Sequence, residues 1–254
     1  MKANYHTHTS RCHHAEGEDR EYVENAIKGG YKVLGFSDHC PWVYRDGYVS
    51  GIRMLPGQLD DYFKSLTDLK AEYSSDIKIY IGFESEYIPE LIEEQDKLLS
   101  GYPVDYMILG QHFYGHESSS PYTGAPTYEE EILKRYVDSV IEGMETGRYK
   151  YAAHPDLINF RGESDVYKKH MKRLCRYMKE KDIPVEINLL GMITRRHYPS
   201  RRFFQIAQEV GNSAIIGCDT HIPEELSSEW YFKDGISFAK SYGLEIKETI
   251  KGLE

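Results

Sequence analysis

Seven histidines and two carboxylates lie in this chain where strand-like runs end. The first group is Asn4-Tyr5-His6-Thr7-His8, with His14 six residues on. Ser37-Asp38-His39, Gly82-Phe83-Glu84, Gly110-Gln111-His112 and Ala153-His154-Pro155 follow, and Gly217-Cys218-Asp219-Thr220-His221 closes the series. Imidazole nitrogen and carboxylate oxygen are the atoms that borderline divalent metals bind. Nine such groups exceed the need of a single ion. They imply a multinuclear metal site, and with it hydrolytic chemistry.

His6 and His8 stand two apart, so on a strand both point the same way and can chelate one ion. Asp219 and His221 repeat that spacing. Asp38 precedes His39, and its plain reading is an acceptor that fixes the His39 tautomer. Glu84 ends an apolar run, where a carboxylate is costly unless paired or metal-bound, which makes it a candidate bridging ligand. Glu86, two residues on along the same face, is a candidate substrate contact. His13 adjoins His14 and competes with it. His116, His170 and His197 lack a strand-end context and are read as ordinary surface or loop residues. Guanidinium groups suit bidentate phosphate binding. Arg161 lies just past the His154 motif, while Arg195 and Arg196 both follow Glu186-Ile187-Asn188, leaving two candidates there. Arginines beside a metal cluster point to a phosphate monoester.

The elements that must carry these groups alternate along the chain. Strands are predicted over 3–6, 33–37, 77–83, 105–109, 150–153, 184–188 and 214–218. The run Ile77, Ile79, Ile81, Phe83 shows the plainest alternation. Helices are predicted over 18–28, 59–69, 91–99, 128–146, 164–181 and 201–210, with helical material from Glu225 to the end. Gly29-Gly30 stops the first of them. Seven strands with interleaved helices imply βαβ units and a parallel sheet. Ligands at the end of nearly every strand favour a closed ring over an open sheet, because catalytic groups of a parallel barrel gather at its carboxyl-terminal rim. The expectation is one domain, 1–254, forming a seven-stranded (β/α) barrel.

Composition narrows the partners. The 254 residues carry a formal charge of −10, which argues against a nucleic-acid surface. No apolar run reaches the length that spans a bilayer, and the first motif follows the N-terminus with no basic or apolar leader. Cys12, Cys40, Cys175 and Cys218 show no paired spacing, so a disulfide framework or zinc ribbon is not implied. They read as small packing residues in a reducing compartment. A soluble cytoplasmic protein is expected. The 22 tyrosines suggest a wet, hydrogen-bonding pocket.

The motif set His6-Thr7-His8 with His14, Ser37-Asp38-His39, Glu84, His112, His154 and Asp219-Thr220-His221 resembles that of the PHP (polymerase and histidinol phosphatase) superfamily, in order and along essentially the whole chain. Within it, Arg53-Met54, Leu59-Asp60-Asp61-Tyr62, Gly110-Gln111-His112-Phe113 and Tyr198-Pro199-Ser200 resemble the monofunctional histidinol-phosphate phosphatases. The family spacing selects His14 over His13. The resemblance implies a distorted (β/α)7 barrel and three divalent ions (zinc, manganese or iron). His6, His8, Glu84 and Asp219 would hold one ion. Glu84 would bridge to a second, held also by His112 and His154, and His14, His39 and His221 would hold the third. Hydrolysis of L-histidinol phosphate in histidine biosynthesis is then expected, with Arg161 joining the first ligand set in catalysis. Arg161, Arg195, Arg196 and Glu86 would contact the substrate. Glu186-Ile187-Asn188-Leu189-Leu190-Gly191 keeps the family's E-x-N-x-x-G outline, whereas Thr194-Arg195-Arg196 departs from its pattern. Two other readings stay in view: a phosphoesterase acting on nucleoside monophosphates or phosphotyrosine, and a metal-binding module without activity. A substrate panel separates these from the first.

Overall fold

The alternation read at Ile79, Ile81 and Phe83 becomes two layers in the computed structural model, which describes residues 2–253. The strands are β1 (Ala3–Asn4), β2 (Val33–His39), β3 (Lys78–Ser85), β4 (Tyr106–Leu109), β5 (Val185–Asn188) and β6 (Ala214–Gly217). All pairings are parallel, in the orders β1-β2-β3-β4 and β5-β6. One face of each of β2 to β6 packs outward: Leu34, Phe36, Ile79, Ile81, Phe83, Met107, Leu109, Ile187 and Ile216 join the main core against the helices. Alternate residues Tyr80, Tyr106, Ile108 and Ile215 turn inward, where they meet Tyr5 and Tyr151. By the same period of two, Glu84, Glu186 and Asn188 also face inward.

Isolated bridges draw the two sheets towards a ring, linking Thr7 to Thr220 on one side and Leu109 to Ala152 on the other. Here the structure departs from the expected seven staves. Residues 150–153 form a single bridge to β4 rather than a strand, and among the described residues no backbone pairing joins them to β5. The seam is crossed by a side chain instead, since Glu186 accepts the His154 amide at 2.7 Å. The observed architecture is thus a curled, parallel α/β half-barrel.

The helices are α1 (Asp19–Lys28), α2 (Leu59–Glu72), α3 (Pro89–Leu99), α4 (Glu130–Glu145), α5 (Ser164–Glu180), α6 (Leu189–Ile193), α7 (Arg201–Val210), α8 (Glu224–Ser227) and α9 (Glu229–Ser241). Helix α2 buries Leu59, Tyr62, Phe63, Leu66 and Leu69, a stripe at helical spacing. Helix α7 is capped by Ser200 and ends at Gly211, whose φ of 79° is the left-handed C-terminal stop that glycine adopts without cost. The short α6, not anticipated, starts because the Asn188 side chain accepts the Gly191 amide at 2.9 Å. The chain after α9 is not helical as expected. Ile246 bridges to Ala214, and Ile250 and Leu253 join the inner cluster that holds Tyr5 and Tyr106.

Candidate metal centre

The β2–β3 register sets His39 beside Glu84. Glu84 itself fits only because the next strand ends in Gly110: a Cβ there would lie 2.0 Å from its Oε1. Around this buried carboxylate the other groups converge. His6 Nε2 lies 3.5 Å from Glu84 Oε2 and 3.4 Å from Asp219 Oδ1, and His8 Nε2 lies 3.6 Å and 3.0 Å from the same atoms. His39 Nδ1 is 3.1 Å from Glu84 Oε2, while His154 Nε2 and His112 Nε2 are 2.8 Å and 3.6 Å from Oε1. His14 Nε2 and His221 Nε2 stand 3.0 Å apart. Atoms bound to one ion at 2.0–2.2 Å are spaced about 2.8–3.6 Å from each other. The observed separations fall in that range.

The outer nitrogens explain which atoms face inward. His6 Nδ1 meets Glu186 at 2.8 Å, His112 Nδ1 meets Glu86 at 3.2 Å, and His8 Nδ1 meets Asp38 at 3.4 Å. His14 Nδ1 meets the Cys12 carbonyl at 2.8 Å, and His221 Nδ1 the Asp219 carbonyl at 2.9 Å. Carbonyl and carboxylate oxygens only accept. Each ring therefore keeps a proton on Nδ1 and turns Nε2 to the centre, the arrangement that metal-ligating histidines require. For His14 and His221 this leaves two lone pairs facing at 3.0 Å. Burial disfavours the protonated ring in both, lowering His14 and pushing His221 down to about 3, so a proton is a poor mediator between them and a cation a good one.

The same deficit appears at the floor. His6 Nε2, His8 Nε2 and both Glu84 oxygens are buried without a hydrogen-bond partner among the described residues. Such atoms are costly unless something else satisfies them. Against burial, which disfavours charge, the surrounding histidines hold Glu84 and Asp219 well below the usual carboxylate range. Burial lowers the His6 imidazole, but Asp219, Glu186 and Glu84 outweigh it and lift it to about 10, so a cation binding at Nε2 would displace a proton and take over the balancing charge. The donor set fits divalent cations. His6 with His8 and Asp219, His6 with Glu84 and His154, His8 with His39 and Glu84, and His14 with His39 and His221 each bring three donor atoms within 4.8 Å. His112 is in none of these triads. Cys12 is in one, with His8 and His221. His154 and Asp219 hold their positions at φ values of 30° and 51°, left-handed backbone that costs about 1–3 kcal/mol per residue and that surrounding structure must sustain.

Above the floor opens a cavity of about 320 Å3, walled by Ile52, Tyr122, Leu190, Arg196 and Tyr198. Arg196 donates to the Tyr198 hydroxyl at 2.8 Å. Several expectations change here. Arg161 and Arg195 are exposed and do not line the cavity; the Arg161 guanidinium turns towards Asn159, at 3.4 Å. Glu86 is not at the cavity either. It is 1% exposed, and its oxygens are taken by Arg53, Trp42 and His112. Asp38 accepts from the His39 backbone amide, but the ring it braces is that of His8, and it also accepts from Thr9. His13 and His14 are both exposed, but His13 stands at a left-handed turn and the His14 ring packs against His221 and His39 in the cluster. His170, read as a surface residue, is buried against Glu130. The four cysteines are buried and free.

Sequence reasoning missed Glu117 and Tyr122 outright, and it named Arg53, Glu186 and Tyr198 only within motifs, without their roles as braces or as cavity wall. For Glu186 a signal existed: like Glu84, it is a carboxylate in an apolar strand.

Residues 4–189 match the PHP domain family. A protein of Deinococcus radiodurans named "Probable histidinol-phosphatase" is 26% identical over 247 residues, spanning 94% of this chain and 92% of the relative. One of the same name from Schizosaccharomyces pombe is 26% identical over 271 residues, spanning 95% and 86%. Among solved structures, the fold resembles the histidinol phosphate phosphatase of Lactococcus lactis, crystallised with zinc, L-histidinol and phosphate. That likeness has a TM-score of 0.73 at 20% identity and covers 99% of this chain and 97% of the other.

Proposed function

This chain belongs to the PHP domain family, and on that premise we propose that it is a metal-dependent phosphomonoesterase hydrolysing L-histidinol phosphate to L-histidinol and phosphate. The observation that carries the reading is the set of five imidazoles, each tied at Nδ1, whose Nε2 atoms converge with Glu84 and Asp219 below a cavity with Arg196 in its wall. Full-length relatives of D. radiodurans and S. pombe carrying the histidinol-phosphatase name support the substrate.

Three ions are proposed. His6, His8, Glu84 and Asp219 would hold one, Glu84 with His112 and His154 a second, and His14, His39 and His221 a third; zinc, manganese and iron all suit these donors. The ring is read as a distorted (β/α)7 barrel in which residues 151–153, bridged to β4, take the fifth stave's place. When bound, such ions polarise phosphoryl oxygens and bring the pKa of water from 15.7 to about 7. The chain's own contribution is placement and charge. Ionised Glu84 and Asp219 hold the floor negative. The Arg196 guanidinium, steered by Tyr198, neutralises charge on the phosphoryl oxygens as it spreads. Ile52, Leu190 and Tyr122 receive the organic part and keep bulk water from the reacting face. A cavity of this size and a net charge of −10 suit a small ester rather than a nucleic acid. Among the described residues no helix is long and apolar enough to cross a membrane, and the four unpaired cysteines support a cytoplasmic location.

The test is a panel assay of the purified, metal-loaded protein with histidinol phosphate, nucleoside monophosphates and phosphotyrosine. Histidinol phosphate should show the highest kcat/KM. A value no better than that for a simple aryl phosphate refutes the substrate.

A further inference from the structure

Glu186 is fully buried and receives four donors. Its Oε1 accepts from His6 Nδ1 at 2.8 Å and the Tyr151 hydroxyl at 3.2 Å. Its Oε2 accepts from the His154 amide at 2.7 Å and Asn188 Nδ2 at 3.1 Å. The same Asn188 amide nitrogen reaches Asp219 Oδ2 at 3.0 Å. One carboxylate thus touches, directly or through Asn188, the ring of His6, the backbone of His154 and the side chain of Asp219. The last two are the site's left-handed residues. The pocket for this carboxylate is shaped by Gly217, where a Cβ would lie 1.9 Å from Oε1. It also sits on the seam where the backbone ladder between residues 151–153 and β5 is missing.

We propose that Glu186 is a positioning residue for the metal centre, holding the His6 proton on Nδ1 and closing the seam so that His154 and Asp219 meet Glu84; this rests on the metal-dependent reading above. The Glu186 carboxylate accepts on both arms. Glutamine has one acceptor oxygen. In Glu186→Gln that oxygen must take the Oε2 place, since the His154 amide can only donate. The NH2 then takes the Oε1 place. The Tyr151 hydroxyl can rotate to accept from it. His6 Nδ1 can accept only by surrendering its proton to Nε2, the atom that faces Glu84 and Asp219 and is needed for the ion. A substitution of nearly unchanged shape therefore switches the His6 tautomer and blocks a ligand.

The experiment pairs two measurements on zinc-loaded protein. Nitrogen NMR of labelled histidine side chains should place the His6 proton on Nδ1 in the wild type and remove it from Nδ1 in Glu186→Gln. Chelator competition should show zinc binding weakened about 10- to 100-fold in the variant. Unchanged zinc affinity with the Nδ1 proton retained in Glu186→Gln overturns the proposal. If the variant fails to fold, the wild type alone decides: a His6 proton found on Nε2 in the zinc-loaded protein also overturns it. Neither readout needs turnover. A protein that binds zinc as described but leaves histidinol phosphate intact would sustain this inference and sink the substrate.

Discussion

Gly110→Ala should inactivate the protein without altering any ligand. The added Cβ would sit 2.0 Å from Glu84 Oε1, 2.5 Å from Cδ and 2.8 Å from Cγ. Ordinary contact begins at 3.4 Å, so the Glu84 carboxylate must recede by about 1.4 Å, the difference between 3.4 and 2.0 Å. Glu84 is 1% exposed and enclosed by His6, His8, His39, His112 and His154, so it can move only by abandoning that arrangement. Functional sites tolerate roughly 0.5 Å, and a misplacement of about 1 Å costs on the order of 100-fold in rate, or about 2.7 kcal/mol of barrier. Overpacking a close-fitted site adds about 1–3 kcal/mol of destabilisation. Gly110 has no left-handed φ, so backbone strain does not confound the change. The assay measures kcat/KM for histidinol phosphate, bound metal per chain and the melting temperature. Gly57→Ala is the control, because a Cβ there meets nothing within 4 Å. Gly110→Ala should lose at least 100-fold in kcat/KM and bind less metal, while Gly57→Ala matches the wild type. Full metal content with kcat/KM within twofold of wild type would refute the idea that this glycine makes room for the buried Glu84 carboxylate.

Arg196→Met should weaken inhibition by inorganic phosphate and raise KM about tenfold or more, the scale of one charge-assisted phosphate contact. Arg161→Ala and Arg195→Ala should leave both nearly unchanged; steady-state kinetics on the three variants checks the assignment, and a larger loss in Arg161→Ala reverses it. Arg53→Met should cost about 3–5 kcal/mol by leaving buried charge unpaired, since its guanidinium is 2% exposed between Glu86 and Glu117; a thermal melt matching the wild type would contradict this. Although burial works to raise it, the Arg53 guanidinium and His112 hold the Glu86 carboxyl down at about 2. Its stabilisation is therefore complete above the unfolded value near 4.5 and is lost as pH falls towards 2, an effect of about 3 kcal/mol. Urea midpoints of metal-free wild type and Glu86→Gln, compared across that window, should converge as pH drops; curves that stay parallel argue against the pairing.

The chemistry was legible in the chain because metals demand particular donor atoms and strands repeat every two residues. Those two rules alone picked out His6, His8, Glu84 and Asp219 as inward groups at strand ends, and helical spacing of apolar residues located α2, α5 and α7. The positions of the carboxylates that do not face the cavity were not legible. Glu86 sits two residues from Glu84 with the same parity, yet it lies against Arg53, a partner set by how the loop before α2 folds over β3. Glu186 meets His6 across 180 residues of sequence, a contact that exists only once the ring curls. The fifth stave read as a strand because its residues suit one, but pairing depends on a neighbour's edge, and here the neighbour offers a side chain. Local residue pattern determines which atoms can bind; only closure of the fold decides which partner holds each of them in place, because that choice depends on distances between segments far apart in the chain.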